Sequence, residues 1–273
     1  MTFTSYVSVA VRKTQSDALR TAISKLPNPV PISPSTKNII IKPSIYDPNL
    51  PGNTSFGMVK AVVEFFKAVA PIYLVESDNP IRTAEEAFNG CNYSAFVKEG
   101  VKVVNLSKEA LKASELPGHF LKTIQLPCIL LENEFLVNLA TVKPQERIGI
   151  GAGIKNLFGL LPEKDKAKWH NHLSDVLVDL LTFFKPKLNI IDLTYLIEGD
   201  RADPKIHQVG GIIIGTDAVA VDAYCAHILG FDPMKIDYIR KAYDLGLGEA
   251  LPERIQVFGT DHQKDQLVDL CSI

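Results

Sequence analysis

Lys155 and Asn156 stand inside residues 149–162, G-I-G-A-G-I-K-N-L-F-G-L-L-P, where four glycines frame one amine and one amide. Glycine is used where backbone turns at positive φ or comes very close to another group. A lysine and an asparagine in such a frame suit an anionic or carbonyl-bearing small molecule, and the N–H groups of a loop-to-helix junction favour the same ligands. A lysine in a partly dry site can clamp an anion, act as a base of lowered pKa, or form a covalent adduct through its amine. The run lacks the G-K-[ST] ending of a P-loop, and Ile154 occupies the last glycine position of G-x-G-x-x-G, which disfavours both of those nucleotide-binding modes. Gly151, Gly153, Lys155 and Asn156 are therefore expected to contact a small ligand. The competing reading is that the glycines let a helix pack tightly on a sheet.

His170 is the second candidate, as a proton-transfer group or a metal ligand. Trp169, Leu173, Val176, Leu177, Leu180 and Phe184 recur at helical spacing and define a buried stripe. His170 falls at its inner edge beside Leu177 and Leu181, and His172 falls on the other side with Lys168, Asp175 and Asp179. One regular helix cannot aim both imidazoles at one ion. A core histidine satisfied by a hydrogen bond fits the same pattern.

Asp222 lies within A-V-A-V-D-A-Y-C-A. An unpaired carboxylate there is costly, so it needs a partner: Lys155, a backbone N–H or a ligand. Asp192 ends the apolar run L-N-I-I-D, with Glu198, Asp200 and Asp203 in the polar segment beyond, and Asp217 reads as a helix N-cap. Residues 42–56 form a loop fixed by three prolines. Asn53 and Thr54 near its end can receive a carboxylate or phosphate, or simply cap the next helix. The expected catalytic set is Lys155, His170 and Asp222, with Asn53 and Thr54 added to the ligand contacts.

Positioning these groups requires an α/β scaffold. Short β-branched runs at 6–11, 38–42, 72–75, 101–106, 135–139, 188–192, 211–214 and 255–258 read as strands, mostly apolar on both faces. Amphipathic stretches at 16–26, 56–70, 83–91, 154–160, 166–184, 218–229 and 234–245 read as helices. The alternation predicts a mainly parallel, twisted sheet with helices on both faces. The expected organisation is one α/β domain over residues 1–273, with a soft break near 142–148. Two lobes meeting there would place the glycine run in a cleft, beyond the carboxyl ends of the strands where such sheets bind ligands.

Of the 273 residues, 46% are hydrophobic and 22% charged, with a formal charge of −2, as in a soluble globular protein. This gives no basic face for nucleic acid and no basic amphipathic segment for anionic membrane. No run is long enough for a membrane span, and the first residues lack a secretion signal's pattern, so the expected location is the cytoplasm. Cys91, Cys128, Cys225 and Cys271 form no close pair. Free thiols are expected, without an iron–sulfur cluster or structural zinc.

The runs G-A-G-I-K-N-L-F-G-L-L-P, W-H-N-H-L-S-D-V-L-V-D-L, L-N-I-I-D and G-T-D-A-V-A-V-D-A-Y resemble the domain of unknown function 362 family, as do the K-P-S…P-G-N-T-S-F loop and the late G-L-G-E. The resemblance spans roughly residues 38–248. It implies an α/β fold, and its members often carry ferredoxin-type iron–sulfur segments. A more distant similarity is to the nickel-pincer lactate racemases, whose glycine-rich segment holds a lysine that carries the nickel-pincer nucleotide, followed by a nickel-ligating histidine. Lys155 and His170 are similar in position to that pair. Two functions are thus expected as alternatives. One is an enzyme acting on a small anionic metabolite, by proton or hydride movement next to a carboxylate. The other is a non-catalytic redox protein that docks a ferredoxin-like partner.

Overall fold

The computed structural model of the chain describes residues 5–132, 135–199 and 203–271, which leaves Asp200 outside the described residues. Eight strands form the main sheet: β1 (Ser5–Val11), β2 (Ile39–Pro43), β3 (Ile72–Glu76), β4 (Lys102–Asn105), β5 (Leu136–Thr141), β6 (Leu188–Glu198), β7 (Lys205–Gly215) and β8 (Ile255–Phe258). Their order across the sheet is β8-β1-β7-β6-β5-β2-β3-β4. β7 runs antiparallel to both of its neighbours, and every other pairing is parallel.

Helices cover both faces: α1 (Gln15–Lys25), α2 (Phe56–Phe66), α3 (Ala84–Gly90), α4 (Gly153–Asn156), α5 (Leu173–Phe184), α6 (Ala218–Ile228), α7 (Asp237–Asp244) and α8 (Asp261–Cys271). Period-two alternation along β2 sends Ile39 and Ile41 to one core and Ile40 to the other. The first core joins them to Leu74, Val137, Leu139 and Ile190 under α1 and α2. The second joins Ile40 to Leu136, Ala140, Ile191 and Ile213 under α4–α8. Ser55 starts α2 by accepting from the Met58 N–H, and Asp217 starts α6 by accepting from Val219 and Ala220.

The structure departs from the sequence expectations in several places, and an antiparallel hairpin, Leu111–Glu115 with Thr123–Pro127, forms where no element was expected. β6 and β7 run on past 192 and before 211 as an 11-residue antiparallel pair, because Thr194, Tyr195, Ile197, Ile206 and Val209 favour extended backbone. The helix expected over 166–184 begins only at Leu173, after a 3₁₀ segment, Ala167–His172. The expected soft break is a small antiparallel hairpin, Lys143–Gln145 with Gly149–Gly151, that lifts the chain into the glycine run.

Candidate functional site

The chain proceeds outward from β2 through β3 to β4, then returns to place β5 on the other side of β2. Loops leaving the carboxyl ends of β2 and β5 therefore diverge, and such a reversal point opens a crevice in α/β sheets. A cleft of about 280 Å³ lies there. Its lining includes Lys42 and Glu76 from strand ends, Arg82 and Lys166 from loops, and Lys155, Asn156, Gly159 and His170 from the glycine run and the segment after it.

Lys155 and His170 thus line one cleft. Lys155 is half-buried on α4, and His170 is exposed at the mouth, its ring 6.2 Å from that of Phe158. Partial burial pushes the His170 imidazole below its usual pKa, and the charges of Arg147 and Lys155 push it further. The shift, which Asp165 opposes, favours the neutral, proton-accepting form of the imidazole. The inner-edge position expected on a regular helix is not adopted, because the 3₁₀ turn rotates His170 outward. His172 instead stacks on Phe120 at 4.6 Å.

Beneath the glycine run lies a row of buried polar side chains. Lys42, Asn138 and Asn189 are register partners on three adjacent strands, each no more than 1% exposed. Asn156 donates to the Lys42 carbonyl and to Asn138 Oδ1, both at 2.9 Å, and Asn138 Nδ2 donates to the Gly153 carbonyl at 2.7 Å. Glycine is required for this close approach. A Cβ at Gly159 would lie 2.7 Å from Lys42 Cε, and one at Gly153 would lie 2.9 Å from Asp222 Oδ1. The tight-packing reading of the run holds at Gly153 and Gly159, which sit on the polar row, and Gly151 and Gly159 line the cleft. Asn156 has its amide hydrogens committed to this row, so it fixes the run in place.

Four charged groups that the sequence reading did not single out converge on the cleft floor. Lys42 Nζ donates to Glu76 Oε2 (2.9 Å), the Pro43 carbonyl (2.7 Å) and, at 3.4 Å, Asn156 Oδ1. Burial pushes its amine below the ordinary lysine value, with Arg82 adding to the lowering and Glu76 opposing it. Arg82 donates to the carbonyls of Ile45, Tyr46 and Ser77, clamping two loops, and approaches Glu76 at 3.7 Å. Lys166 Nζ donates to Ser77 Oγ and the Asp78 carbonyl, both at 3.0 Å. The available signal was a charge ending an apolar strand, in I-I-I-K-P and I-Y-L-V-E.

Other expected site residues lie elsewhere. Asp222 is fully buried and does not line the cleft; its carboxylate accepts from the N–H groups of Gly153 (2.8 Å) and Ile154 (3.0 Å) and from Tyr238 Oη (3.1 Å). A backbone partner thus resolves its burial, and its role is to anchor α4. Asn53 bridges Tyr46 N–H to the carbonyls of Asp47 and Leu50. Thr54 accepts from Ser44 N–H and donates to the Leu139 carbonyl. Both brace the loop after β2, away from the cleft, because these hydrogen bonds satisfy its backbone. Asp192 accepts from the N–H groups of Ser55 and Thr194 beside a separate hollow. Asp179, expected on an exposed helix face, is buried and holds the N–H groups of His119, Phe120 and Leu121.

A metal at His170 finds little support from its neighbours. Among the described residues no three His, Cys, Asp or Glu side chains converge. Glu76 is paired with Lys42, and Asp78 accepts from Ala84 N–H and Asn105 Nδ2. These donors do not fit an ion held by side chains alone.

The chain is 25% identical over 253 residues to a thylakoid-associated protein of Synechocystis sp., covering 85% of this chain and 74% of that one. A lactate racemase apoprotein from Thermoanaerobacterium thermosaccharolyticum aligns in three dimensions with a TM-score of 0.48 and 11% identity, over 97% of this chain and 86% of that one. The family model Domain of unknown function (DUF362) matches residues 39–227. That span is most of the chain, from β2 through the cleft to α6, and the chain belongs to this family.

Proposed function

We propose that the cleft binds a small anionic metabolite and that the protein is an enzyme moving a proton at a carbon next to its carboxylate. Lys155 holds the anionic group. His170, kept neutral by burial and by the cations near it, takes the proton. The observation that carries this reading is that Lys155 and His170 line one cleft and that the Lys155 charge acts on the imidazole. Lys143 and Lys164, which also line it, add to the attraction for an anion. A metabolite enzyme of this kind would work in the cytoplasm, and among the described residues no helix is long and apolar enough to cross a membrane. Docking of a ferredoxin-like partner draws on no specific feature of the described surface.

The test is deuterium uptake. Small hydroxy and oxo carboxylic acids are incubated with the protein in D₂O and followed by proton NMR, with binding measured by calorimetry. Lys155→Ala is expected to abolish binding. His170→Gln is expected to retain binding and to slow exchange about 10²–10⁴-fold, the usual contribution of a positioned base. Unchanged binding and exchange in both variants would overturn the proposal.

A further inference from the structure

Two lysines on the cleft floor differ in what their amines meet. Lys42 has three acceptors for three N–H groups, one of them the Glu76 carboxylate, and so is built to be an ammonium. Lys166 has two. Its acceptors are the Asp78 carbonyl and Ser77 Oγ, whose own hydrogen goes to the Gly159 carbonyl at 2.9 Å, so Ser77 must accept from the amine. Both acceptors are neutral, and among the described residues no carboxylate forms an ion pair with Lys166.

A neutral amine has two N–H donors and one lone pair. Two acceptors therefore satisfy neutral Lys166 completely and leave its lone pair uncommitted, whereas an ammonium would carry a third hydrogen without a partner on this wall. Its surroundings agree. Lys166 is 8% exposed, and burial lowers its pKa from 10.5 to about 8, with Lys42 and Arg82 adding to the lowering against the opposing charges of Glu76 and Glu163. Desolvation beside other cations is a recognised way of activating a lysine nucleophile.

We propose that Lys166 is the nucleophilic amine of this cleft and condenses with the carbonyl carbon of a small oxo acid to form an imine. The substrate class rests on the reading of the cleft as an anion site; the amine's reactivity does not. In the condensation the carbon gains a double bond to Nζ and gives up its double bond to oxygen. The oxygen leaves as water with the two amine hydrogens, so no oxidant or reductant is needed. Once protonated, the imine draws electrons from the adjacent C–H. In a 3-oxo acid that carbon is also next to the carboxylate, which is where His170 would act.

The experiment treats the full chain with glyoxylate and sodium cyanoborohydride, and in parallel with the neutral aldehyde butyraldehyde, then maps the alkylated lysines by peptide mass spectrometry. Near neutral pH, Lys166 is expected to react about tenfold or more faster than the median surface lysine, since far more of it is unprotonated. Its rate should level off above about pH 8, where that of surface lysines still climbs. Oxalate should slow the glyoxylate reaction. Lys166→Arg should lose the adduct while keeping its circular dichroism and its affinity for oxalate. Modification of Lys166 no faster than surface lysines with both aldehydes would overturn the proposal, even if oxalate binds. Fast modification by both aldehydes, without binding or competition by oxalate, would uphold the amine and sink the anion site.

Discussion

At the scale of single residues, the charge on one buried carboxylate governs the cleft floor. Glu76 is the counter-charge for Lys42, and it is the strongest charge opposing the lowering of the Lys166 pKa by burial. Glu76→Gln would leave a buried ammonium without its partner, a loss of about 3–5 kcal/mol in urea unfolding. The double variant Lys42→Met with Glu76→Leu should recover most of it, because a matched apolar pair of similar volume often costs nothing. Glu76→Gln should also move the midpoint of Lys166 alkylation to lower pH, because the larger of the two charges opposing its deprotonation, Glu76 and Glu163, is gone. A stability loss without that shift would mean that Glu76 does not act on the Lys166 amine. Lys155 and His170 were legible in the sequence because a lysine among glycines, and a histidine beside a hydrophobic stripe, are unusual. Lys42 and Glu76 were not, because each ends a strand whose other residues read only as core.

At the scale of elements, the glycine run is held down from below by the helix that follows β7. Asp222, midway along α6, grips the first amides of α4, and α4 carries Lys155 at the cleft. Spacing could say that this carboxylate needed a partner, yet three kinds of partner were compatible with it, and only the packing of α4 on α6 selects the backbone. Burial raises its pKa to about 7. Between the ordinary carboxylate range and that value the folded chain holds a proton that the unfolded chain has released. The group's contribution is therefore fully present in acid and is lost as pH rises toward 7, by up to about 4 kcal/mol. Asp222→Asn should remove this slope, so the stability difference between wild type and variant should change between acid and neutral pH. A constant difference would show that Asp222 is ionised throughout. Asp222→Ala should destabilise by about 3–5 kcal/mol, since two amides and a phenol lose their buried acceptor. It should also weaken anion binding through Lys155, without any cleft contact of its own.

At the scale of the whole molecule, the mainly parallel sheet with covered faces was readable because strands buried on both sides lack polar alternation. The antiparallel strand of the main sheet was not readable in full, since Glu198, Lys205, His207 and Gln208 make the outer halves of β6 and β7 read as a polar loop. The location of the cleft follows from connectivity: the sheet must be ordered before β2 and β5 can diverge, so the site exists only when both cores are formed. Neighbouring residues of β2 test this arrangement. Ile39 is 0% exposed in the core under α1 and α2, and Ile40 is 1% exposed in the core under α5 and α6, although one peptide bond separates them. If helices cover both faces, Ile39→Ala and Ile40→Ala should each cost about 2–5 kcal/mol, because each leaves a cavity in a packed layer. A sheet with one solvated face would tolerate one of the two changes with little loss. Denaturant unfolding of both variants, read for midpoint and slope, distinguishes the cases, and equal large losses with a single transition are the expected result.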